Sequence, residues 1–252
     1  MRRLLLLLLC FLSPGLAADQ VLVAVAANFA EPMNAIAARF EKDSGHEVQL
    51  AYGSSGKFYA QIMHGAPFDV FLSADTVKPE ALASSGKVIK GSRFTYAEGR
   101  LVLWSREIGF IANQLQSASD RLSGDQYSRL ALANPRLAPY GLAATQTLAA
   151  LELRASTESR WVIGENISQT YQFVSTGNAQ LGFVAASQAM QQGELVSGSG
   201  WLVPKTLHDP IHQDAVMLTR AAGNQAAIDL LAFMRSTTAA EIIKRYGYEV
   251  PD

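Results

Sequence analysis

The segment VLVAVAANFAEPMNAIAARF, residues 21–40, decides the fold because a strand, a polar turn and the start of a helix follow one another in it. Residues 21–26 form an unbroken apolar run rich in valine, which is typical of a parallel strand covered on both faces. Asn28 is a favoured N-cap residue, and Glu31 and Pro32 suit a first helical turn. The segment therefore predicts a central strand that leads through a turn into a helix.

The turn at Ala27 and Asn28 is a candidate anion site. Backbone N–H groups at the start of a helix have no intrahelical acceptor, and the helix dipole adds about half a positive charge there. Such a turn binds an anion without any lysine or arginine. The alternative is that Asn28 only caps its helix, and the residues alone leave both interpretations open.

The bulk composition is that of an ordinary globular protein. The chain has 252 residues, of which 49% are hydrophobic and 17% charged, and its formal net charge is -1. These values fit one or two folded domains and give no indication of a nucleic-acid partner.

The first 18 residues differ from the rest of the chain. Two arginines precede an apolar run over residues 4–12, and small residues follow at Ala17 and Ala18. This pattern predicts a signal peptide over residues 1–18 and export to the periplasm; an uncleaved membrane anchor is the alternative, although the run is short for a span. Cys10, the one cysteine, lies in this leader without a small residue before it, so we expect a free protein without disulfides. We also expect a monomer.

Strand and helix patterns alternate along the remaining chain. A second strand at residues 47–52 leads into a polar turn at residues 53–56 and then a helix, which repeats the arrangement of the first segment. Further short apolar runs predict strands at residues 69–72, 101–104, 130–133, 181–184 and 215–218. The alternation predicts an α/β fold with mostly parallel sheets flanked by helices.

The number of elements predicts two lobes rather than one small sheet. Residues 19–96 and 213–252 are assigned to lobe I, and residues 97–212 to an inserted lobe II. The chain then crosses twice between the lobes, with hinges predicted at residues 95–100 and 208–214, and the cleft is the expected ligand site.

Several motifs occur in a recognisable order. They are AAN (26–28), YGSSGKFYAQI (52–62), GAPFDVFLSAD (65–75), NP (134–135) with PYG (139–141), QLGFV (180–184) and AAEIIKRYGYEV (239–250). With these motifs the chain resembles the periplasmic molybdate-binding proteins of ABC transporters over essentially its whole mature length. The resemblance implies a type II periplasmic binding fold that closes on a tetrahedral oxyanion and delivers it to a membrane permease. It implies no enzyme activity, no cofactor, and molybdenum only as bound molybdate, without direct protein–metal ligands.

The resemblance also implies a ligand set. The first-turn ligand of the family falls on Asn28, with Ala27 beside it, and the second-turn serine falls on Ser55. In lobe II the corresponding positions are Tyr140 and Ile167, the latter acting through its backbone N–H.

One position departs from the family pattern. Many relatives carry a tyrosine directly after the strand at residues 181–184, where this chain has Ala185. We hypothesise that the Tyr140 hydroxyl supplies the missing donor from the other side of the cleft.

The expected ligand chemistry agrees with these residue types. Molybdate near neutral pH is a dianion that only accepts hydrogen bonds, and the Asn28 amide, the Ser55 and Tyr140 hydroxyls and helix-start N–H groups all donate. A protonated phosphate would need an acceptor, and only Glu31 and Glu165 are close enough in sequence to consider. Tungstate should bind comparably, whereas sulfate differs by its smaller radius and stays an open alternative.

Other classes of protein remain as alternatives. A secreted serine hydrolase is suggested by GSSG at residues 53–56, although this is not a G-x-S-x-G motif. A purely structural or adhesive exported domain is a third possibility. The four histidines do not form a metal-ligand pattern; His208 and His212, with Asp209 and Asp214, are predicted to lie in a solvated surface loop.

Overall fold

A computed structural model describes residues 19–251. The predicted signal peptide, residues 1–18, lies outside the described residues. In the described part of the chain no helix is both long and apolar enough to cross a bilayer.

The strands are short and spread along the whole chain. In order they are β1 (Gln20–Ala26), β2 (Glu47–Gly53), β3 (Val70–Leu72), β4 (Phe94–Gly99), β5 (Leu101–Ser105), β6 (Leu130–Ala133), β7 (Trp161–Gly164), β8 (Leu181–Ala185), β9 (Met190–Gln191), β10 (Glu194–Leu195), β11 (Ser199–Leu202) and β12 (Ile211–Met217).

The helices alternate with these strands. In order they are α1 (Ala30–Ser44), α2 (Ser55–Met63), α3 (Val77–Ser84), α4 (Leu115–Ser123), α5 (Pro139–Ala150), α6 (Arg154–Thr157), α7 (Ile167–Ser175), α8 (Ala186–Ala189), α9 (Gln225–Met234) and α10 (Thr237–Arg245).

The strands form two five-stranded sheets, each the centre of one lobe. The first lobe contains the sheet β2-β1-β3-β12-β4, and the second lobe contains the sheet β11-β5-β8-β6-β7. β9 and β10 form a separate small hairpin. The predicted two-lobe α/β fold is therefore confirmed.

Both sheets are mixed rather than mostly parallel. In the first sheet β1 runs parallel to β2 and β3, but β12 runs antiparallel to β3 and β4. In the second sheet β6 is parallel to β7 and β8, whereas β5 is antiparallel to β8 and β11. The sequence pattern could not show this, because apolar runs reveal burial but not strand direction.

The valine-rich strand β1 is central to the first lobe, as its composition predicts. One face packs against α1, α9 and α10 in a core that includes Phe29, Met33 and Leu230, and the opposite face packs against Phe58 and Phe71. Burial on both faces explains the unbroken apolar run. The strand ends at Ala26, where the candidate site begins.

The polar segment at residues 95–100 is a strand and not only a crossing. Most of it lies in β4, which pairs with β12 in the first sheet and buries Tyr96 and Ala97. The sheet membership changes between Gly99 and Leu101. The C-terminal segment is held against the end of β4, because backbone hydrogen bonds of 2.7 and 3.1 Å join Glu98 and Glu249. The lobe boundaries and hinge positions remain predictions.

The predicted solvated surface loop with His208, Asp209, His212 and Asp214 was wrong from residue 211 onward, where β12 begins, although His212 is exposed. Asp214 lies in β12 and is buried, where its carboxylate accepts hydrogen bonds from Arg93 Nε at 2.6 Å and Thr95 Oγ1 at 2.7 Å. No group of three or more metal-ligating side chains occurs within residues 19–251.

Candidate functional site

A cavity lies between the two lobes, at the ends of their strands. Its empty space, including the part that is open to solvent, is about 200 Å³. Pockets for drug-sized ligands are typically about 300–1,000 Å³. The cavity therefore suits a small ion rather than a sugar or a peptide. Its lining residues are Ala26, Ala27, Asn28, Gly53, Ser54, Ser55, Ala74, Ala138, Pro139, Tyr140, Asn166 and Ile167.

The structure brings all five sequence-predicted site residues to this cavity. The first lobe contributes Ala27, Asn28 and Ser55, and the second lobe contributes Tyr140 and Ile167. Each lies at or next to the start of a helical segment. Helix-start N–H groups from both lobes thus meet at one small space.

The first turn is built differently from the prediction. Residues Ala27–Phe29 form a 3₁₀ turn before α1, and Asn28 does not cap either segment. Its side-chain Nδ2 donates instead to Gln213 Oε1 at 2.8 Å and to Tyr248 Oη at 3.0 Å. Both amide hydrogens are therefore engaged inside the protein, and the donors that this turn offers to a ligand are the backbone N–H groups of Ala27 and Asn28.

The second turn presents the start of α2. Ser55 is the first residue of the helix, and its Oγ accepts a hydrogen bond of 2.9 Å from the Ala74 N–H. Because that bond uses an oxygen lone pair, the hydroxyl proton of Ser55 remains free to be donated. The N–H of Gly56 is occupied, since it donates to the Leu137 carbonyl of the second lobe at 2.8 Å.

Ser54 is a candidate ligand that the sequence analysis missed. Its side chain is buried and lines the cavity, and its Oγ has no hydrogen-bond partner within residues 19–251. A buried hydroxyl without a partner costs free energy, and a ligand in the cavity would relieve that cost. The sequence showed two adjacent serines, and only the resemblance favoured Ser55 over Ser54.

The second lobe contributes two further helix starts. In α7, the Asn166 side chain accepts hydrogen bonds of 3.0 Å from the N–H groups of Ser168 and Gln169. The cap leaves the N–H of Ile167, the first helical residue, without an intrahelical partner. In α5, Pro139 occupies the first helical position and has no N–H, so the first N–H of that helix belongs to Tyr140.

The position of the Tyr140 hydroxyl does not favour the hypothesis that it replaces the tyrosine missing at residue 185. It accepts a hydrogen bond of 3.3 Å from Gln213 Nε2 and lies against Gly99, and neither of these residues lines the cavity. Burial, and next the proximity of Tyr248, hold the pKa of Tyr140 well above its ordinary value. Ala185 itself is fully buried in the core of the second lobe. The candidate donor on Tyr140 is therefore its backbone N–H.

The described residues that line the cavity are small apolar residues and uncharged polar ones. Among the described residues that line it there is no Asp, Glu, Lys, Arg or His. Glu165 lies outside this lining and pairs with Lys57 of the first lobe at 2.6 Å. The site therefore offers hydrogen-bond donors without a fixed carboxylate acceptor.

The lobes are in contact around the cavity, so the structure is a closed form. Ser168 Oγ donates to the Ala27 carbonyl at 3.2 Å, and Ser187 Oγ donates to the Asn28 carbonyl at 2.9 Å. Both bonds run from the second lobe to the carbonyl side of the first turn. They engage the carbonyls of this turn and leave its N–H groups for a ligand.

Comparison with known proteins gives the family. The profile of the bacterial extracellular solute-binding proteins matches residues 21–249. The chain belongs to this family. As a solute-binding protein it is not an enzyme, and proteins of this kind carry their ligand rather than a cofactor.

The relatives of this solute-binding protein cover nearly its whole length. The molybdate-binding protein ModA of Azotobacter vinelandii is 51% identical over 231 residues, which are 92% of this chain and 90% of the relative. ModA of Rhodobacter capsulatus is 44% identical over 232 residues, or 92% and 89% of the two chains. The solved structure of the periplasmic molybdate-binding protein of Azotobacter vinelandii has a TM-score of 0.87 at 39% identity and covers 92% of this chain and 100% of its own. The resemblance found in the motifs is thus confirmed.

Proposed function

We propose that this solute-binding protein captures molybdate, and tungstate equally, in the periplasm and delivers it to the permease of an ABC transporter. The observation that carries the proposal is the cavity itself, where helix-start N–H groups from two lobes meet two serine hydroxyls, and no charged side chain of residues 19–251 lines it. The relatives named for molybdate binding support the same ligand.

The donor set suits a tetrahedral dianion. The candidate donors are five helix-start N–H groups and the hydroxyls of Ser54 and Ser55. The N–H groups belong to the lining residues Ala27, Asn28, Ser55, Tyr140 and Ile167. Hydrogen bonds to a charged partner contribute about 1.5–3 kcal/mol each. Several such bonds in a closed cavity outweigh the cost of ordering the ligand and the lobes.

The same donor set disfavours phosphate. Near neutral pH part of the phosphate carries a proton, and that proton needs an acceptor in the pocket. No carboxylate is among the described lining residues, and the Asn166 Oδ1 acceptor is already used twice in capping α7. Sulfate has no such proton, so its discrimination rests on cavity size alone.

Calorimetric titration of residues 19–252 with molybdate, tungstate, sulfate and phosphate tests the proposal. We expect tight binding of the first two, weaker binding of sulfate and none of phosphate. Sulfate binding tighter than molybdate would replace the proposed ligand by another oxyanion. The absence of heat with all four anions would overturn the proposal.

A hydrolase is not favoured by the geometry of Ser55. Its Oγ accepts a hydrogen bond from Ala74 N, and no histidine is among the described residues that line the cavity. A nucleophilic serine needs a neighbouring general base. Delivery to a permease and a monomeric state remain part of the proposal. Stimulation of the transporter ATPase by the molybdate-loaded protein, and light scattering of the purified chain, would test them.

A further inference from the structure

One buried amide, that of Gln213, connects the two halves of the candidate site. Gln213 lies in β12 and is fully buried, at a register shift between Gln213 and Asp214 in the pairing with β4. Such a bulge redirects a side chain out of the regular pleat. The amide therefore sits inside the protein with every one of its hydrogen bonds supplied by other side chains.

The partners of this amide come from both lobes. Gln213 Oε1 accepts from Asn28 Nδ2 at 2.8 Å and from Tyr96 Oη at 3.0 Å, both within the first lobe. Gln213 Nε2 donates to Tyr140 Oη at 3.3 Å, and Tyr140 belongs to the second lobe. Asn28 and Tyr140 also line the cavity. The same amide thus holds a cavity-lining residue from each lobe.

The Tyr140 hydroxyl is closely confined where the chain passes between the lobes. A Cβ atom placed on Gly99 would lie 2.1 Å from Tyr140 Oη and 2.7 Å from Gln213 Nε2. Only glycine leaves room for the hydroxyl to reach the amide. The contact is therefore built by three elements: the end of β4, the bulge of β12 and the start of α5.

We propose that Gln213 is a positioning residue whose hydrogen bond to Tyr140 stabilises the closed form and so sets the residence time of the bound anion. The inference rests on the proposed function, because it concerns the same cavity. Gln213 and Gly99 lie in the two predicted hinge segments, so the bond acts where the lobes turn against each other. It favours the closed form over any form in which opening separates α5 from β12. The anion leaves only after opening, hence the bond acts on the dissociation rate.

Two tyrosine substitutions at the same amide separate this role from a structural one. Tyr140→Phe removes the hydrogen bond from Gln213 to Tyr140, which joins the two lobes. Tyr96→Phe removes the hydrogen bond from Tyr96 to Gln213, which lies within the first lobe. Stopped-flow fluorescence with molybdate measures both rate constants. We expect Tyr140→Phe to raise koff about three- to tenfold with kon unchanged, as the loss of one neutral hydrogen bond implies. Tyr96→Phe should lower the stability of the protein and leave both rate constants as in the wild type.

A third variant keeps the hydroxyl but displaces it. Gly99→Ala introduces the clash described above, and we expect koff to rise at least as much as in Tyr140→Phe. An unchanged koff in Tyr140→Phe, or equal increases in Tyr140→Phe and Tyr96→Phe, would overturn the inference while leaving molybdate binding intact. Failure of the wild type to bind molybdate would instead overturn the proposed function.

Discussion

Ser54 and Ser55 are adjacent, but their hydroxyl groups have different surroundings. Ser55 Oγ has a protein partner in the Ala74 N–H, and Ser54 Oγ has none in the described part of the chain. If both hydroxyls donate to the bound anion, each substitution removes one charge-assisted bond. The two variants then differ in the ligand-free protein, where only Ser55→Ala removes an existing hydrogen bond.

We expect Ser54→Ala and Ser55→Ala each to raise the Kd for molybdate about 10- to 150-fold, which corresponds to about 1.5–3 kcal/mol per bond. Calorimetry measures the effect. Ser85→Ala is the matched control, since Ser85 is exposed at the end of α3 and its Oγ bonds only the Ala81 carbonyl. An unchanged Kd in Ser54→Ala would remove Ser54 from the ligand set, and the same result in Ser55→Ala would remove Ser55.

Pairs of ionic side chains at the cleft matter less than these hydroxyls. Lys57 and Glu165 face each other across the lobes at 2.6 Å, but both side chains are about half exposed. Exposed pairs contribute about 0–1 kcal/mol and are screened by salt. The closed form therefore depends mainly on its buried contacts.

At the scale of elements, the helix α7 shows how a cap supports a ligand site. Asn166 caps α7 and lies in the cavity wall, whereas Asn224 caps α9 by accepting from the Ala227 N–H at 3.1 Å, away from the cavity. The two residues perform the same local task. They differ in whether the capped helix presents its first N–H to the ligand.

We expect Asn166→Ala and Asn224→Ala to lower the free energy of unfolding by a similar amount, about 1 kcal/mol, as loss of a cap does. Only Asn166→Ala should also weaken molybdate binding, because fraying of α7 moves the Ile167 N–H. Urea denaturation and calorimetry measure the two effects. Equal affinities of the two variants for molybdate would contradict the role of α7 in the site.

At the scale of the whole molecule, the two lobes are joined by few chain crossings and close over the cavity. Each lobe has its own sheet and core. An anion bonded to donors on both lobes stabilises the closed form relative to open ones. We therefore expect the bound anion to shift the two lobes towards the closed form.

We expect the radius of gyration in solution scattering to fall when molybdate is added to the ligand-free protein. Phosphate serves as the control anion and should leave the scattering curve unchanged. Identical dimensions with and without molybdate would contradict the predicted hinges at residues 95–100 and 208–214.

The stability of the molecule should decrease at alkaline pH because of its buried tyrosines. Burial raises the pKa of Tyr248 to about 12, and burial holds the pKa values of Tyr96 and Tyr140 well above 10.0. The unfolded chain releases these protons near pH 10 while the folded chain keeps them. The contribution of these protonated tyrosines to the free energy of unfolding is thus complete below pH 10, and it is lost as the pH rises towards 12.

Urea denaturation between about pH 8 and about pH 11 measures this loss. We expect the free energy of unfolding to fall above about pH 10 in the wild type and to fall less steeply in Tyr248→Phe. An equal slope in both proteins would show that Tyr248 does not keep its proton in the folded state.

The sequence determined the α/β class, the two-lobe organisation and the place of the candidate site. Burial on both faces of β1 requires an unbroken apolar run, and a strand that ends in a polar turn before a helix leaves N–H groups unpaired whatever surrounds it. Residues 21–40 and the turn at Ser55 could therefore be located from local patterns, and the resemblance added Tyr140 and Ile167.

Only the tertiary structure decided what the side chains at those places contact. Asn28 was expected to cap a helix or bind the ligand, but its amide bonds Gln213 and Tyr248, which are 185 and 220 residues away in the chain. The Tyr140 hydroxyl reaches Gln213 across the lobes, and Ser54 has no partner in the described chain. The antiparallel direction of β12 was likewise not evident from the sequence. Each of these facts depends on contacts between distant segments, and a local pattern carries no information about which distant group will complete a hydrogen bond.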